Sequence, residues 1–312
     1  MSNSHILIIG AGELGLAILH HLTHGNPATT KLTVLLRPAT ITSSNISKQT
    51  EIAALHALGV NLLPCDLAVS SVAQLSQAFA PFELVISCTG FTAGKGTQVK
   101  LARAVMDAKV KWYIPWQFGV DYDSIGRGSA QDLFDEQLDV RNMLRGQDGG
   151  GEGGSTEWII ISTGIFTSFL FEKVFGVVDI EEGVVRALGS WDTEISVTTP
   201  NDIGRMVKEI VLEKELVMKD EVAFVAGDTL TYSRLADIVD SVLARKLRRE
   251  EWNVAYLTEE LLKDPDDHIK KYQVVFAKGK GVAWDMQKTY NRRKRIELTS
   301  VEDWARVNLI HG

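Results

Sequence analysis

The sequence predicts an α/β protein built on a doubly wound, Rossmann-type parallel sheet, with a smaller C-terminal substrate lobe. Short apolar runs alternate with amphipathic runs through the first half of the chain, and a glycine-rich turn follows the first apolar run. Strands that alternate with helices require βαβ crossovers, which produce a parallel sheet. The pattern loosens after residue 165. We therefore predict a Rossmann domain over 1–165, completed by parts of 190–228, and an interleaved substrate lobe over 166–312.

The predicted elements follow from the period of the apolar residues. Runs of four to six apolar residues are typical of buried strands, whereas longer runs with apolar residues three and four apart indicate helices. The predicted strands of the first half are 6–9, 32–36, 61–64, 84–88, 112–115 and 158–162. The predicted helices between them are 13–24, 52–58, 72–79, 97–108 and 130–144.

The second half gives weaker patterns. Strands are predicted at 184–187, 195–197 and 223–226, helices at 202–216 and 232–248, and the segment 252–312 is less periodic. The glycine-rich stretch 146–157 cannot bury a core, so it is predicted to be a flexible surface loop.

Composition limits the classes of function. The 312 residues carry 33 Lys+Arg against 40 Asp+Glu, a formal charge of −7, which argues against a nucleic-acid partner. Only Cys65 and Cys88 are cysteines, too few for a disulfide framework, which indicates a reducing compartment. Neither a signal peptide nor a bilayer-spanning run is evident, so we expect a cytoplasmic protein with no membrane partner.

The segment 10–15 has the G-x-G-x-x-G pattern of a dinucleotide-binding turn. Gly10 allows the tight turn, Gly12 lets a pyrophosphate approach the backbone, and Gly15 lets strand and helix pack closely. Glu13 and Leu14 open the helix, whose N-terminal amides would face the phosphates. Because the segment lies between a strand and an amphipathic run, it predicts a cofactor site.

The end of the second strand indicates which dinucleotide binds. An NAD site carries Asp or Glu there to accept a hydrogen bond from the ribose 2′-hydroxyl. This chain instead has Arg37, whose permanently charged guanidinium suits a 2′-phosphate. The sequence therefore predicts NADP(H) rather than NAD(H).

Two later strand ends complete the predicted cofactor site. Asp66, after the third strand, is expected beside the adenine. Ser87, Cys88, Thr89 and Gly90 are expected along the pyrophosphate and the nicotinamide ribose. No histidine lies near Cys88 in the sequence, so we interpret it as a small wall residue rather than a nucleophile.

Together these segments resemble a known family, the NmrA-like, isoflavone-reductase-like branch of the atypical short-chain dehydrogenases, particularly its fungal secondary-metabolism members. The resemblance covers essentially the whole chain and rests on segments 8–15, 35–38, 85–87, 112–119 and 199–204. It implies NADPH-dependent reduction of a small, often aromatic molecule. It also implies that Gln117 and Phe118, in the Ile-Pro-x-x-Phe-Gly block, contact the cofactor.

One position departs from that family. Its reductases carry a proton-donating lysine about three residues before a Val-Arg pair, and here Gln137 occupies that position. An amide cannot donate and recover a proton at neutral pH. We therefore expect hydride transfer to an iminium or conjugated acceptor, either alone or coupled to cyclisation, with Gln137, Tyr122 and Asp121 as the candidate catalytic residues.

Two other classes of function stay open. Loss of the lysine is also compatible with an NADP-binding redox sensor of the NmrA type, which regulates a protein partner without turnover. A structural protein that merely retained the fold is the third class. The sequence leaves the substrate, the direction of hydride transfer and the oligomeric state, monomer or homodimer, undecided.

Substrate contacts are predicted from position. Trp116 follows the fifth strand at the carboxyl edge of the sheet, where ligands bind in such folds. Phe166 and Phe169 belong to an aromatic cluster that either packs in the core or meets a substrate. No metal site is predicted, since the histidines of the first helix have no cysteine or acidic cluster near them: His20, His21 and His24.

Overall fold

The computed structural model describes residues 4–24, 30–91, 94–147, 155–212 and 219–310. These form two compact units. The first comprises 1–117, 136–160 and 203–222, and the second comprises 118–135, 161–202 and 223–312. This division is more interleaved than the predicted split at residue 165, since 118–135 groups with the second unit.

The strands have the following bounds: β1 His5–Ile9, β2 Lys31–Leu36, β3 Asn61–Pro64, β4 Leu84–Ser87, β5 Trp112–Ile114, β6 Glu157–Ser162, β7 Ile165–Phe166, β8 Val178–Asp179, β9 Val184–Leu188, β10 Glu194–Thr198, β11 Glu221–Phe224, β12 Asp228–Thr231 and β13 Arg248–Trp252.

The helices have the following bounds: α1 Glu13–Thr23, α2 Pro38–Ile41, α3 Ile46–Ala57, α4 Val72–Phe79, α5 Thr97–Asp107, α6 Tyr122–Ile125, α7 Leu133–Arg145, α8 Pro200–Leu212, α9 Tyr232–Val242, α10 Val254–Lys263, α11 His268–Ala277, α12 Tyr290–Arg293 and α13 Val301–Leu309. Across the described ranges, none of these helices combines the length and the apolar character needed to cross a bilayer.

A seven-stranded sheet has the order β11-β6-β5-β4-β1-β2-β3. The pairs from β1 to β6 are parallel, and Ile8 lies opposite both Val34 of β2 and Ile86 of β4. The predicted doubly wound sheet is thus confirmed. Strand order changes direction between β1 and β4, and such a switch point opens a crevice at the carboxyl ends of the strands.

The runs predicted as buried strands form the core of this sheet. Leu7, Ile9 and Val85 are buried on one side, where Leu101 and Val105 of α5 pack against them. A parallel sheet is covered on both faces, which explains why its strands read as unbroken apolar runs.

Two helices differ from the predicted bounds, and a side-chain cap explains the first difference. The helix predicted at 52–58 begins at Ile46, because the Asn45 side chain accepts hydrogen bonds from the backbone N–H groups of Ser47 (2.9 Å) and Lys48 (3.3 Å). The helix predicted at 232–248 ends at Val242, and β13 begins at Arg248. The glycine stretch 148–154 and the end of the helix predicted at 202–216 lie outside the described residues.

The second unit holds two small sheets, with the orders β12-β10-β7 and β13-β9-β8. Each sheet combines one parallel and one antiparallel pair. The described part of the segment 252–312, which lacks a clear period, nevertheless forms α10 to α13.

Candidate functional site

The glycine turn between β1 and α1 has the geometry that its pattern predicts. Gly10 has φ +95° and donates its N–H to the carbonyl of Leu35 at 3.2 Å. A Cβ on Gly15 would lie 2.2 Å from the Gly10 carbonyl oxygen, so helix and turn approach as closely as glycine allows. A Cβ on Gly12 would meet no protein atom within 4 Å. Gly10 and Gly15 therefore shape the turn, whereas Gly12 leaves open space above it.

The first turn of α1 has no side-chain cap at Gly12. The N-terminal amides of a helix need a partner, and the positive end of the helix dipole favours an anion. Glu13 is exposed, and Leu14 is buried in the core rather than facing the turn. The helix thus offers its backbone, not these side chains, to a phosphate.

A cleft of about 590 Å³ opens at the carboxyl ends of β1, β2, β3 and β4. It contains seven of the residues predicted to bind a dinucleotide: Gly10, Gly12, Arg37, Asp66, Cys88, Thr89 and Gly90. Predicted residues that do not line it are Glu13, Leu14, Gly15, Ser87, Gln117 and Phe118.

Arg37 ends β2 and precedes α2, where its carbonyl accepts the N–H of Thr40 at 2.9 Å. Its side chain is exposed and lines the cleft. Sequence reasoning missed Thr40 and Lys48, which line the same part of the cleft. The sequence signal that could have identified Lys48 is the helix-capping residue Asn45. This residue starts α3 at Ile46 and so places Lys48 in the first turn of the helix. Glu51 also lines this region and pairs with Lys48 at 2.7 Å.

Asp66 forms a tight turn after β3, where it lines the cleft. Its Oδ1 accepts the N–H of Ala68 at 2.9 Å, and its carbonyl accepts the N–H of Ser70 at 3.0 Å. The Asp66 carboxylate thus stabilises the turn in which it lies, which fixes the loop after β3. Asp66 therefore shapes the cleft wall at the position where the adenine was expected.

The loop after β4 is tied to the end of β1. The Cys88 N–H (2.9 Å) and the Thr89 hydroxyl (3.1 Å) both donate to the Ile9 carbonyl. Gly90 supports Trp116, since a Cβ on Gly90 would lie 2.9 Å from the indole ring. The Phe91 ring is nearly perpendicular to the same indole (82°), with ring centroids 4.6 Å apart. Trp116 is thus held at the carboxyl edge of the sheet, beside the cleft loop.

The Cys88 thiol lines the cleft, and burial raises its pKa well above the usual range. Because only the thiolate is a good nucleophile, we expect Cys88 to resist iodoacetamide throughout pH 7–9, where the raised pKa keeps it protonated. Peptide mass spectrometry of native and urea-unfolded protein measures the labelling, with Cys65 as the internal comparison. Rapid labelling of native Cys88 at pH 7 would contradict the interpretation of a wall residue.

Gln117 is fully buried and holds α7 against the end of β5. Its Nε2 donates to the Gln137 carbonyl at 2.9 Å, and its Oε1 accepts from Arg141 Nε at 2.8 Å. The side chain is therefore engaged with α7. Its predicted cofactor contact stays a prediction.

Gln137 lies on α7 with no exposed surface. Neither its Oε1 nor its Nε2 has a hydrogen-bond partner within the described part of the chain. Leaving a buried polar group unpaired costs about 1–3 kcal/mol, so such a group in a native protein requires an explanation.

The remaining predicted residues belong to the second unit, and their roles stay predictions. Phe118 and Tyr122 are buried, and Tyr122 meets the edge of Phe134 with centroids 4.9 Å apart. Asp121 Oδ2 accepts a hydrogen bond from the Ser124 hydroxyl at 2.5 Å. Phe166 and Phe169 are partly buried, and the Phe169 ring packs against Phe175 with ring centroids 4.7 Å apart.

The family model of the NmrA-like family matches residues 2–305. This chain belongs to the NmrA-like family. A relative from Gibberella moniliformis, described as an NmrA-like family domain-containing oxidoreductase, is 45% identical over 311 residues, which is 99% of each chain. The family resemblance seen in the sequence is therefore confirmed.

Solved structures with the same fold share less sequence with this NmrA-like chain. An isoflavone reductase superposes with a TM-score of 0.78 at 19% identity, covering 97% of this chain and 98% of the other. An NADPH-dependent quinone oxidoreductase from Escherichia coli, complexed with NADPH, gives a TM-score of 0.73 at 20% identity, covering 96% and 98%. These likenesses establish the fold over nearly the full length.

Proposed function

We propose that this chain is an NADPH-dependent oxidoreductase that transfers hydride to an iminium or conjugated acceptor on a small aromatic or alkaloid-type metabolite. The observation that carries the proposal is the cleft at the switch point of the sheet, with an open glycine turn at one side and Arg37 at the end of β2. The oxidoreductase description of the 45% identical relative supports the reaction class. The NADPH complex of the quinone oxidoreductase supports the cofactor.

The residues of the cleft fit a dinucleotide. The uncapped N-terminus of α1 suits a pyrophosphate, and the open space at Gly12 lets that group approach the backbone. When bound, NADPH supplies the hydride. The chain's own contribution is to bind and orient it, and to exclude water from the reacting atoms.

Among the described residues, the cleft is lined by two cations and two carboxylates, one of which is Asp66. Arg37 and Lys48 are the cations, and Glu51 pairs with Lys48. A second negative charge beside Lys48 would compete with Glu51, so we assign the main phosphate contact to Arg37, whose planar guanidinium binds phosphate in a bidentate manner.

The amide side chain of Gln137 favours a hydride acceptor that needs no proton from the enzyme. Its buried amide, which has no partner among the described residues, suits a ligand carbonyl or amide that would complete its hydrogen bonds. An amide does not act as an acid at neutral pH, so the hydride acceptor would need no enzymic proton. Iminium reduction meets this condition, because hydride addition to a cation gives a neutral product. Tyr122 and Asp121 remain candidates for positioning the substrate, and Trp116, Phe166 and Phe169 for binding it.

Oxidation of NADPH with a panel of quinones, conjugated carbonyl compounds and cyclic iminium ions tests the reaction class. We expect at least one planar acceptor to be reduced, with a product of the same ring skeleton or a cyclised one. Tight NADPH binding without oxidation by any acceptor, together with a stable protein partner, would favour the redox-sensor alternative.

Replacing Arg37 by alanine tests the cofactor preference. Loss of a charge-assisted phosphate contact costs about 1.5–3 kcal/mol, so the ratio of NADPH to NADH affinity should fall by about tenfold to more than a hundredfold. Calorimetry with both cofactors measures the ratio. Lys31→Ala is the matched control, since it removes an exposed cation from the opposite end of β2. An unchanged ratio in the Arg37→Ala protein would show that the guanidinium does not read the 2′-phosphate.

A further inference from the structure

A buried carboxylate of α7 caps a different helix. Glu136 is 8% exposed, and its Oε1 accepts hydrogen bonds from the backbone N–H groups of Gln98 (2.7 Å) and Val99 (3.2 Å). Its Oε2 accepts the N–H of Gly96 at 2.9 Å. These amides form the N-terminus of α5, where Gly96, in the left-handed conformation, has no side chain to cap them. The negative charge also complements the positive end of the helix dipole.

The capped end of α5 is connected to the cleft. The Gln98 side chain is buried, and its Nε2 donates to the carbonyl of Thr89 at 2.8 Å. Thr89 lines the cleft, and its hydroxyl donates to the carbonyl of Ile9 at 3.1 Å. That hydroxyl oxygen lies 2.8 Å from the position of a Cβ on Gly10. Hydrogen bonds therefore run from Glu136 through Gln98 and Thr89 to the glycine turn.

We propose that Glu136 is a positioning residue that sets the conformation of the loop Cys88–Gly90, and through it the nicotinamide end of the cofactor. The proposal rests on the proposed function, because it requires a dinucleotide in the cleft. Glu136 is adjacent to Gln137, so one turn of α7 carries both the buried Gln137 amide and the carboxylate that holds the cofactor loop. The two ends of the cleft then depend on different residues: Arg37 at the 2′-phosphate and Glu136 at the nicotinamide.

The charge of Glu136 is essential to this arrangement. Three N–H donors converge on its two carboxylate oxygens. In Glu136→Gln one of those oxygens becomes an NH₂ group, which cannot accept from the amide it faces. The start of α5 must then shift, and the Gln98 contact with Thr89 shifts with it. Gln98→Leu instead removes the hydrogen bond between Gln98 and the Thr89 carbonyl, and it leaves the Glu136 cap of α5 in place.

The test compares two ligands that differ only at the nicotinamide end. Calorimetry measures the affinity of the full-length protein for NADPH and for 2′-phospho-ADP-ribose, which lacks the nicotinamide. We expect Glu136→Gln and Gln98→Leu each to weaken NADPH binding about tenfold, the scale of one hydrogen bond to a charged group, and to leave the fragment within about twofold. The fluorescence of bound NADPH should change in both variants, because its nicotinamide ring is the emitting group.

Ser71→Ala is the matched control for loss of a helix cap. Ser71 caps α4 in the same unit through a reciprocal bond with Gln74, and its loss costs about 1 kcal/mol without touching the cleft. It should lower the melting temperature and leave both affinities unchanged. If Glu136→Gln weakens the binding of NADPH and of 2′-phospho-ADP-ribose equally, or weakens the binding of neither, the positioning role is overturned. Wild-type protein that binds neither ligand overturns the proposed function instead.

Discussion

Gly12→Val is expected to fold like the wild type and to bind no NADPH. The new side chain meets no protein atom within 4 Å of its Cβ, and Gly12 has the extended φ of −74° that any residue adopts. The valine instead fills the space that a pyrophosphate needs at the N-terminus of α1. We expect the melting temperature to match the wild type without ligand. Millimolar NADPH should raise it only in the wild type, because a ligand stabilises only a protein that binds it.

Gly15→Ala is the contrasting variant. Its Cβ would lie 2.2 Å from the Gly10 carbonyl oxygen, so strand and helix must separate. It should lower the melting temperature even without ligand. Gly12→Val protein that binds NADPH with wild-type affinity, measured by calorimetry, would contradict a pyrophosphate at this turn.

Gln137→Met is expected to make the ligand-free protein more stable and the enzyme slower. Methionine has a similar shape but no amide, so it removes two buried atoms that lack partners in the described structure. We expect the free energy of unfolding to rise by about 1 kcal/mol or more. Loss of one or two hydrogen bonds to the ligand should reduce turnover by about tenfold to a hundredfold.

Two variants complete the Gln137 experiment. Thr156→Val, also in the first unit, removes a buried hydroxyl that has no partner among the described residues, so it should preserve turnover. Gln137→Lys introduces the family's proton donor at a position with no exposed surface, where burial would lower the lysine pKa and destabilise the fold. Steady-state kinetics across pH 6–9, with the acceptor found in the panel, measures all three proteins. A faster Gln137→Lys enzyme would show that a proton donor had been limiting.

The local patterns of the first half were sufficient to predict six of the seven strands of the large sheet. β3 and α4 occur at the predicted residues 61–64 and 72–79, and β1 extends the predicted strand by only one residue. The period of apolar residues and the turn chemistry are local properties, which the linear sequence contains in full. Boundaries were wrong where a cap decided them, as at Asn45, which begins α3 at Ile46 rather than at the predicted Ile52.

The sequence by itself determined the strand–turn–helix around Gly10, the absence of an acid at Arg37 and the lysine-to-glutamine departure at Gln137. Only the tertiary structure decided which side chains meet. It brought Lys48 to the Arg37 end of the cleft, aimed Glu136 at the N-terminus of α5, and buried the Gln137 amide with no partner among the residues that the structure describes. Glu136 and Gln98 are 38 residues apart in the chain. Such contacts depend on how helices pack across a sheet. The spacing of apolar residues within one helix or strand does not determine that packing.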